Sequence, residues 1–276
     1  MSVVSITFFG TRGSIPVCGP EVAEFGGNTT CIAFLRKKNN RISIMDAGTG
    51  IRNLGKHINE YYPDQHDLNI TFSHFHWDHI QGFPFFDPAY NPKMNIDIQI
   101  FGKEMPEAEL RQIFSRQMME DYFPVPLDKM GATFKFVSTA DKVVTGQGVS
   151  IECIAQNHPG GSFGYRVEVD GVVFVICTDH EHGDQIEQRF IDFCKDADLL
   201  VHDAQYTAAE LKTHKGWGHS SYDQCIELAQ KAGVKQLVLT HHDPDHDDTF
   251  LNEMEAYCQG KFPNSKLARE GMTIEL

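Results

Sequence analysis

The stretch Thr71-Phe72-Ser73-His74-Phe75-His76-Trp77-Asp78-His79 decides how this chain is read. Four side chains able to bind a metal, His74, His76, Asp78 and His79, fall within six residues, directly after the alternating segment Leu68-Asn69-Ile70-Thr71-Phe72. Side chains at i and i+2 of an extended chain share a face, so His74 and His76 can reach one ion together. A tight turn after them would swing Asp78 and His79 round to a second ion. Imidazole suits Zn, Fe or Ni, and a carboxylate adds harder cations such as Mn. Near pH 7 the chain offers neutral imidazoles and an ionised carboxylate. A histidine-rich surface turn is the bland alternative for any short motif; the density of ligands here favours a metal site.

The pattern H-x-H-x-D-H resembles the signature of the metallo-β-lactamase superfamily, and the resemblance implies further ligands at the ends of later strands. Three places qualify. The alternating run Val149–Ala155 leads to Asn157-His158-Pro159. The continuous apolar run Val172–Cys177, of the kind a buried strand shows, ends at Thr178-Asp179. A third run, Gln236–Thr240, delivers His241.

Composition agrees with one catalytic domain over 1–276. The chain has 276 residues with 41% apolar residues, enough for a sizeable core, and no linker, repeat or low-complexity tract divides it. Its start, Met1-Ser2-Val3-Val4-Ser5-Ile6, lacks a basic region and reads as a strand rather than a signal peptide. No stretch approaches a membrane span. The seven cysteines are scattered and never spaced C-x-x-C, which points to buried free thiols and a cytoplasmic location.

Periodicity predicts strands at 3–9, 30–36, 41–46, 68–73, 96–101, 133–137, 149–155, 163–169, 171–177, 198–202, 236–240 and 272–275. Helices are expected at about 50–61, 104–120, 184–195, 207–213, 220–232 and 247–259. Asp170-Gly171 is a hairpin signal; Ser220 or Ser221 can cap the helix at 220–232, and Gly233 ends it. Clustered strands with intervening helices give an α+β class with two packed sheets. In the superfamily this is a four-layer αβ/βα sandwich, a single domain with its metals at one edge. The stretch 82–131, rich in Phe, Pro, Tyr and Met, is expected to form a lid or cap insertion whose rings stack on a base; an apolar cap or a homodimer contact competes with that reading.

Two further motifs narrow the resemblance. Val201-His202-Asp203-Ala204-Gln205 and Gly216-Trp217-Gly218-His219-Ser220-Ser221 are similar to elements of the phosphodiesterase branch that includes ribonuclease Z, with Asp203 in place of the usual glutamate. Gly10-Thr11-Arg12-Gly13-Ser14 and Gly26-Gly27-Asn28-Thr29-Thr30 resemble the N-terminal loops of that branch. The similarity covers nearly the whole chain and looks closest to bacterial cyclic-nucleotide phosphodiesterase-like members. The resemblance implies two divalent ions, zinc first and manganese or iron as alternatives. His74, His76 and His158 would bind one ion, Asp78, His79 and His241 the other, and Asp179 would bridge them. His242 is the rival of His241, and His180 and His182 are read as rim residues beside Asp179. Asp46 resembles the family's acid that hydrogen-bonds a ligand histidine, though a turn-forming Asp before glycine is the competing reading.

The expected catalytic residues are Asp78, Asp203 and His219. Two cations lower the pKa of a shared water toward about 7, so that hydroxide can attack the phosphorus. His219, oriented by Asp203, would give the leaving alkoxide its proton. A formal net charge of −14 and dispersed Lys and Arg oppose a folded polyanion. The short cluster Arg36-Lys37-Lys38 reads as a hairpin end, and Arg12 and Arg166 are candidates either for phosphate or for structural pairing. A small phosphodiester such as a 3′,5′-cyclic nucleotide is therefore favoured over nucleic acid. A ribonuclease Z-like nuclease and a non-catalytic metal-stabilised sensor are the alternatives.

Overall fold

The computed structural model describes residues 2–276; residue 1 of the domain expected over 1–276 lies outside the described residues. The strands are β1 Val4–Gly10, β2 Cys31–Arg36, β3 Arg41–Met45, β4 Asp67–Thr71, β5 Asn95–Phe101, β6 Thr133–Thr139, β7 Val143–Gly146, β8 Val149–Gln156, β9 Ser162–Val169, β10 Val172–Cys177, β11 Leu199–Asp203, β12 Leu237–Thr240, β13 Ser265–Leu267 and β14 Thr273–Glu275. The α-helices are α1 Ile51–Tyr61, α2 Trp77–Ile80, α3 Glu107–Gln117, α4 Gln188–Cys194, α5 Ala208–Leu211, α6 Tyr222–Ala232 and α7 Asp248–Lys261. They fall into two compact units: the first holds the chain up to Gly10, Asn28–Asp141 and Glu270–Glu275, the second Thr11–Gly27, Lys142–Arg269 and Leu276.

The first unit is built on a seven-stranded sheet in the order β14-β1-β2-β3-β4-β5-β6. From β3 to β6 the strands are parallel, and β1, β2 and β3 alternate in direction. Two antiparallel steps restore direction, so β1 runs the same way as β3–β6. The residues just past β1, β3 and β4 consequently lie along one edge of the sheet, the place where open mixed sheets bind ligands. On α1 the buried residues are Ile51, Leu54, Gly55 and Ile58, the i, i+3, i+4, i+7 stripe of an amphipathic helix.

The second unit repeats the plan with the order β13-β12-β11-β10-β9-β8-β7. Here β10–β13 are parallel and β7–β10 alternate, which sets β8 in the same direction as β10, β11 and β12. Asp170 and Gly171 both take positive φ, at 50° and 85°, as the two-residue turn between β9 and β10 requires. Helix α6 starts with a reciprocal capping box between Ser221 and Gln224 and stops at left-handed Gly233. Tyr222, Cys225, Ile226, Leu228, Ala229 and Ala232 bury its inner face in a core shared with α4, α7 and the sheet.

All twelve strands and six helices expected from the sequence are present. The additional strands and α-helix are short, β7, β13 and the single turn α2, and four 3-10 turns of three or four residues accompany them among the described residues. Of the aromatic stretch 82–131, Phe83, Phe86 and Phe114 are buried in the first unit, and β5 is a full member of its sheet, whereas Phe85, Tyr90 and Tyr122 are exposed. Arg36 ends β2, and the hairpin end that follows pairs Lys37 with Glu275 at the surface. The cysteines are free thiols, six buried and Cys18 exposed. Among the described residues no helix is long and apolar enough to cross a membrane.

Candidate metal centre

In the first unit the chain leaves β4 at Phe72, turns at Ser73, and enters α2 with His76 as the N-cap residue. His74, Asp78 and His79 are buried and His76 is exposed. The His74 ring centroid lies 4.4 Å from that of His76 and 4.3 Å from that of His79, so the turn gathers all three imidazoles.

Asp46 sits under this cluster. Its carboxylate accepts from the Ser73 N–H at 2.8 Å, the Ser73 hydroxyl at 2.8 Å and His79 Nδ1 at 2.8 Å. With its hydrogen given to Asp46, the Ser73 oxygen accepts from His74 Nδ1 at 3.0 Å. Both histidines therefore carry their proton on Nδ1 and offer the Nε2 lone pair, the tautomer a metal ligand needs. His79 Nε2 lies 3.3 Å from Asp78 Oδ2. Burial raises the pKa of the Asp46 carboxyl from its ordinary value, with His79 and Ser73 opposing that rise.

In the second unit His158, Asp179 and His241 follow β8, β10 and β12, and Asp203 is the last residue of β11. These strands share a direction, so the four residues collect at one sheet edge. His241 Nε2 lies 3.3 Å and His158 Nε2 3.8 Å from the same atom, Asp179 Oδ1. Their other nitrogens are engaged: His158 Nδ1 donates to the Gly218 carbonyl at 3.0 Å, and His241 Nδ1 to Gln205 Oε1 at 3.1 Å. Two Nε2 atoms facing one carboxylate oxygen suit cations placed between them.

His219 lies in this group. Its Nδ1 donates to Asp203 Oδ2 at 2.7 Å, and its ring stacks on His241 at 4.9 Å. Donor atoms of His158, Asp179 and His219 lie within 4.8 Å of one another, as do those of Asp203, His219 and His241. The loop before His219 is fixed by buried Glu181, whose carboxylate accepts from the N–H groups of Gly216 and Gly218. Gly218 is at φ 94°, and a Cβ there would stand 2.1 Å from His158 Nδ1.

Several expectations change. His180 and His182 are not rim residues: both are buried, and His180 lies against Phe190 at 4.0 Å. Arg12 and Arg166 are not offered to a phosphate. Arg12 is buried and donates to the carbonyls of Gly26, Asp243 and His246, and Arg166 to those of Phe193 and Lys195. His242, the rival of His241, turns away to donate to the Ala268 carbonyl at 2.9 Å. Gln205 and Glu181 were not singled out by sequence reading. Gln205 stands two residues beyond Asp203 in an already notable motif, whereas nothing in the sequence marks Glu181.

Two mixed sheets flanked by helices, with histidines and acids along their carboxyl edges, define a metallo-β-lactamase fold. The metallo-β-lactamase fold protein YhfI from Bacillus subtilis matches with a TM-score of 0.73 at 17% identity, over 100% of both chains. A diphosphatase from the PhnP family matches with a TM-score of 0.72 at 16% identity, over 99% of this chain and 98% of that one. The chain belongs to the β-lactamase superfamily, whose domain model matches residues 41–242. It is also 33% identical over 109 residues to a ribonuclease Z of Prochlorococcus marinus (strain NATL1A); the matched stretch is 38% of this chain and 33% of that enzyme.

Proposed function

We propose that the protein is a dinuclear metal-dependent phosphodiesterase acting on a small phosphodiester, first a 3′,5′-cyclic nucleotide. The two ligand sets would work together: His74, His76 and His158 on one divalent ion, Asp78, His79 and His241 on the other, with Asp179 shared. The donors fit such ions, being imidazoles mostly locked with Nε2 available, accompanied by carboxylates. That mixture suits zinc and tolerates manganese or iron. Bound there, the ions supply a nucleophile at neutral pH and draw charge from the phosphoryl oxygens.

The observation that carries phosphodiester cleavage is the 2.7 Å contact between Asp203 and His219. A carboxylate can only accept, so it fixes the ring with Nδ1 protonated; the imidazolium form of that ring, carrying a second proton on Nε2, would hand that Nε2 proton to the leaving alkoxide and return to the neutral Nδ1–H form. A sensor without turnover has no use for that pair. Small substrates are favoured because the formal net charge is −14 and both Arg12 and Arg166 are spent on backbone carbonyls. The ribonuclease Z-like relative supports a second reading, cleavage of RNA 3′ ends. Six buried free thiols support the cytoplasm as its location.

Turnover of a panel of cyclic nucleotides, a cyclic dinucleotide and a precursor tRNA, with metal analysis, tests the proposal. Hydrolysis of a cyclic nucleotide with two ions per chain is expected; cleavage of the precursor tRNA alone would move the assignment to the second reading. His219→Ala is expected to keep both metals and lose about a hundredfold in turnover on an alkoxide leaving group. Unchanged turnover would remove His219 from the reaction.

A further inference from the structure

Three buried histidines of the second unit, none used in the proposed reaction, are joined end to end. His180 Nε2 lies 3.1 Å from His182 Nδ1, and His182 Nε2 lies 3.2 Å from His202 Nε2. A backbone group of fixed role closes each end. The Asn157 N–H, which can only donate, is 3.0 Å from His180 Nδ1. The Asp203 carbonyl, which can only accept, is 2.7 Å from His202 Nδ1.

A neutral imidazole has one donor and one acceptor, so these ends dictate every proton between them. From Asn157, His180 Nδ1 must accept and its Nε2 donate. His182 Nδ1 then accepts and its Nε2 donates. His202 Nε2 accepts, which leaves its Nδ1 to donate, as the Asp203 carbonyl requires. Starting from Asp203 gives the same assignment. Burial keeps the middle ring uncharged, holding the pKa of His182 down to about 2.

The row also closes into a circuit. The His180 N–H donates to Asp203 Oδ2 at 3.2 Å, and the Ser220 hydroxyl donates to the His180 carbonyl. The Asp203 carboxylate is thus tied to the backbone of His180, while the Asp203 carbonyl is tied through three rings to its side chain. Asp179 is the neighbour of His180, and Asp203 Oδ2 is also the oxygen that holds His219.

We propose that His180, His182 and His202 are positioning residues, whose one-way row of hydrogen bonds fixes the turn bearing Asp179 to the end of β11 and holds the Asp203 carboxylate in place for His219. This rests on the reading of His219 as the leaving-group acid. The row itself is tested independently of activity, by 15N spectra of histidine-labelled, zinc-loaded protein. His180 and His182 are expected as the Nε2–H tautomers and His202 as the Nδ1–H tautomer; a His202 protonated on Nε2 would overturn the row.

The positioning role is tested with His182→Leu. It should keep both metals and lose about tenfold or more in kcat on a substrate with an alkoxide leaving group, with KM little changed. A nitrophenyl phosphodiester, whose leaving group needs no acid, should be hydrolysed at close to the original rate. Equal losses on both substrates, or none, would overturn the role. Should the leucine variant fail to fold, His182→Gln on the same two substrates decides the role, and the tautomer spectra decide the row. A wild-type protein that cleaves no phosphodiester but shows the expected tautomers would defeat the functional reading and leave the row standing.

Discussion

Asp46, Asp179 and His241 hold backbone φ values of 60°, 59° and 63°, in the left-handed region that non-glycine residues seldom occupy. Each follows a strand, and the reversal aims its side chain into the cluster at the sheet edge instead of continuing the ladder. Such a conformation costs about 1–2 kcal/mol, so the surroundings must hold it. At Asp46 three donors do so, and this contact decides between the two readings the sequence left open: the side chain orients His79 and is more than a turn former. An amide there would turn an NH2 group toward at least one of those donors. Asp46→Asn should therefore fold but bind zinc about 10–100-fold more weakly, measured by chelator competition. Unchanged affinity would mean that Ser73 and packing alone orient His74 and His79.

Strand ends were legible because apolar runs stop abruptly at Asp46, His158, Asp179 and His241, and direction follows from the hairpin and crossover lengths between them. The elements that escaped, β7, β13 and α2, have four, three and four residues, too few to display a period. The buried row of His180, His182 and His202 escaped for a different reason. Histidines two residues apart beside an acid look like ligands or rim, and only the cross-strand partner reveals a closed chain of donors and acceptors. Helix α6 was legible down to its caps and gives a test at this scale. Ser221→Ala removes the acceptor for the Gln224 N–H and half of the capping box. It should cost about 1 kcal/mol in urea unfolding. Asp203 and His219 do not depend on that hydroxyl, so metal content should stay unchanged; lost metal would show that α6 positions the site through its first turn.

Across the molecule, burying many neutral imidazoles sets a condition on pH that no single contact reveals. Burial lowers the pKa of His182 to about 2 and that of His242 to about 3, in the latter case against the pull of the Ala268 carbonyl. The unfolded chain binds these protons near the ordinary value of about 6.5. Above that pH neither state is protonated and folding gains nothing or loses nothing from them. Below it the unfolded state takes up protons that the folded state refuses, so stability falls as the pH drops from about 6.5 toward the folded values. At pH 5.5 each such group costs about 1.4 kcal/mol, about 3 kcal/mol for the pair, a large share of a typical domain's 5–15 kcal/mol. His180 and His202, also lowered chiefly by burial, act in the same direction. Proposed ligands titrate over the same range, so the contribution of His242 is isolated by difference. Urea unfolding at pH 7.5 and 5.5 should show His242→Gln, whose amide can still donate to Ala268, losing about 1.4 kcal/mol less than the parent protein over that interval. Parallel losses in the two proteins would mean that His242 is protonated in the folded state, and that the acid sensitivity lies with other groups.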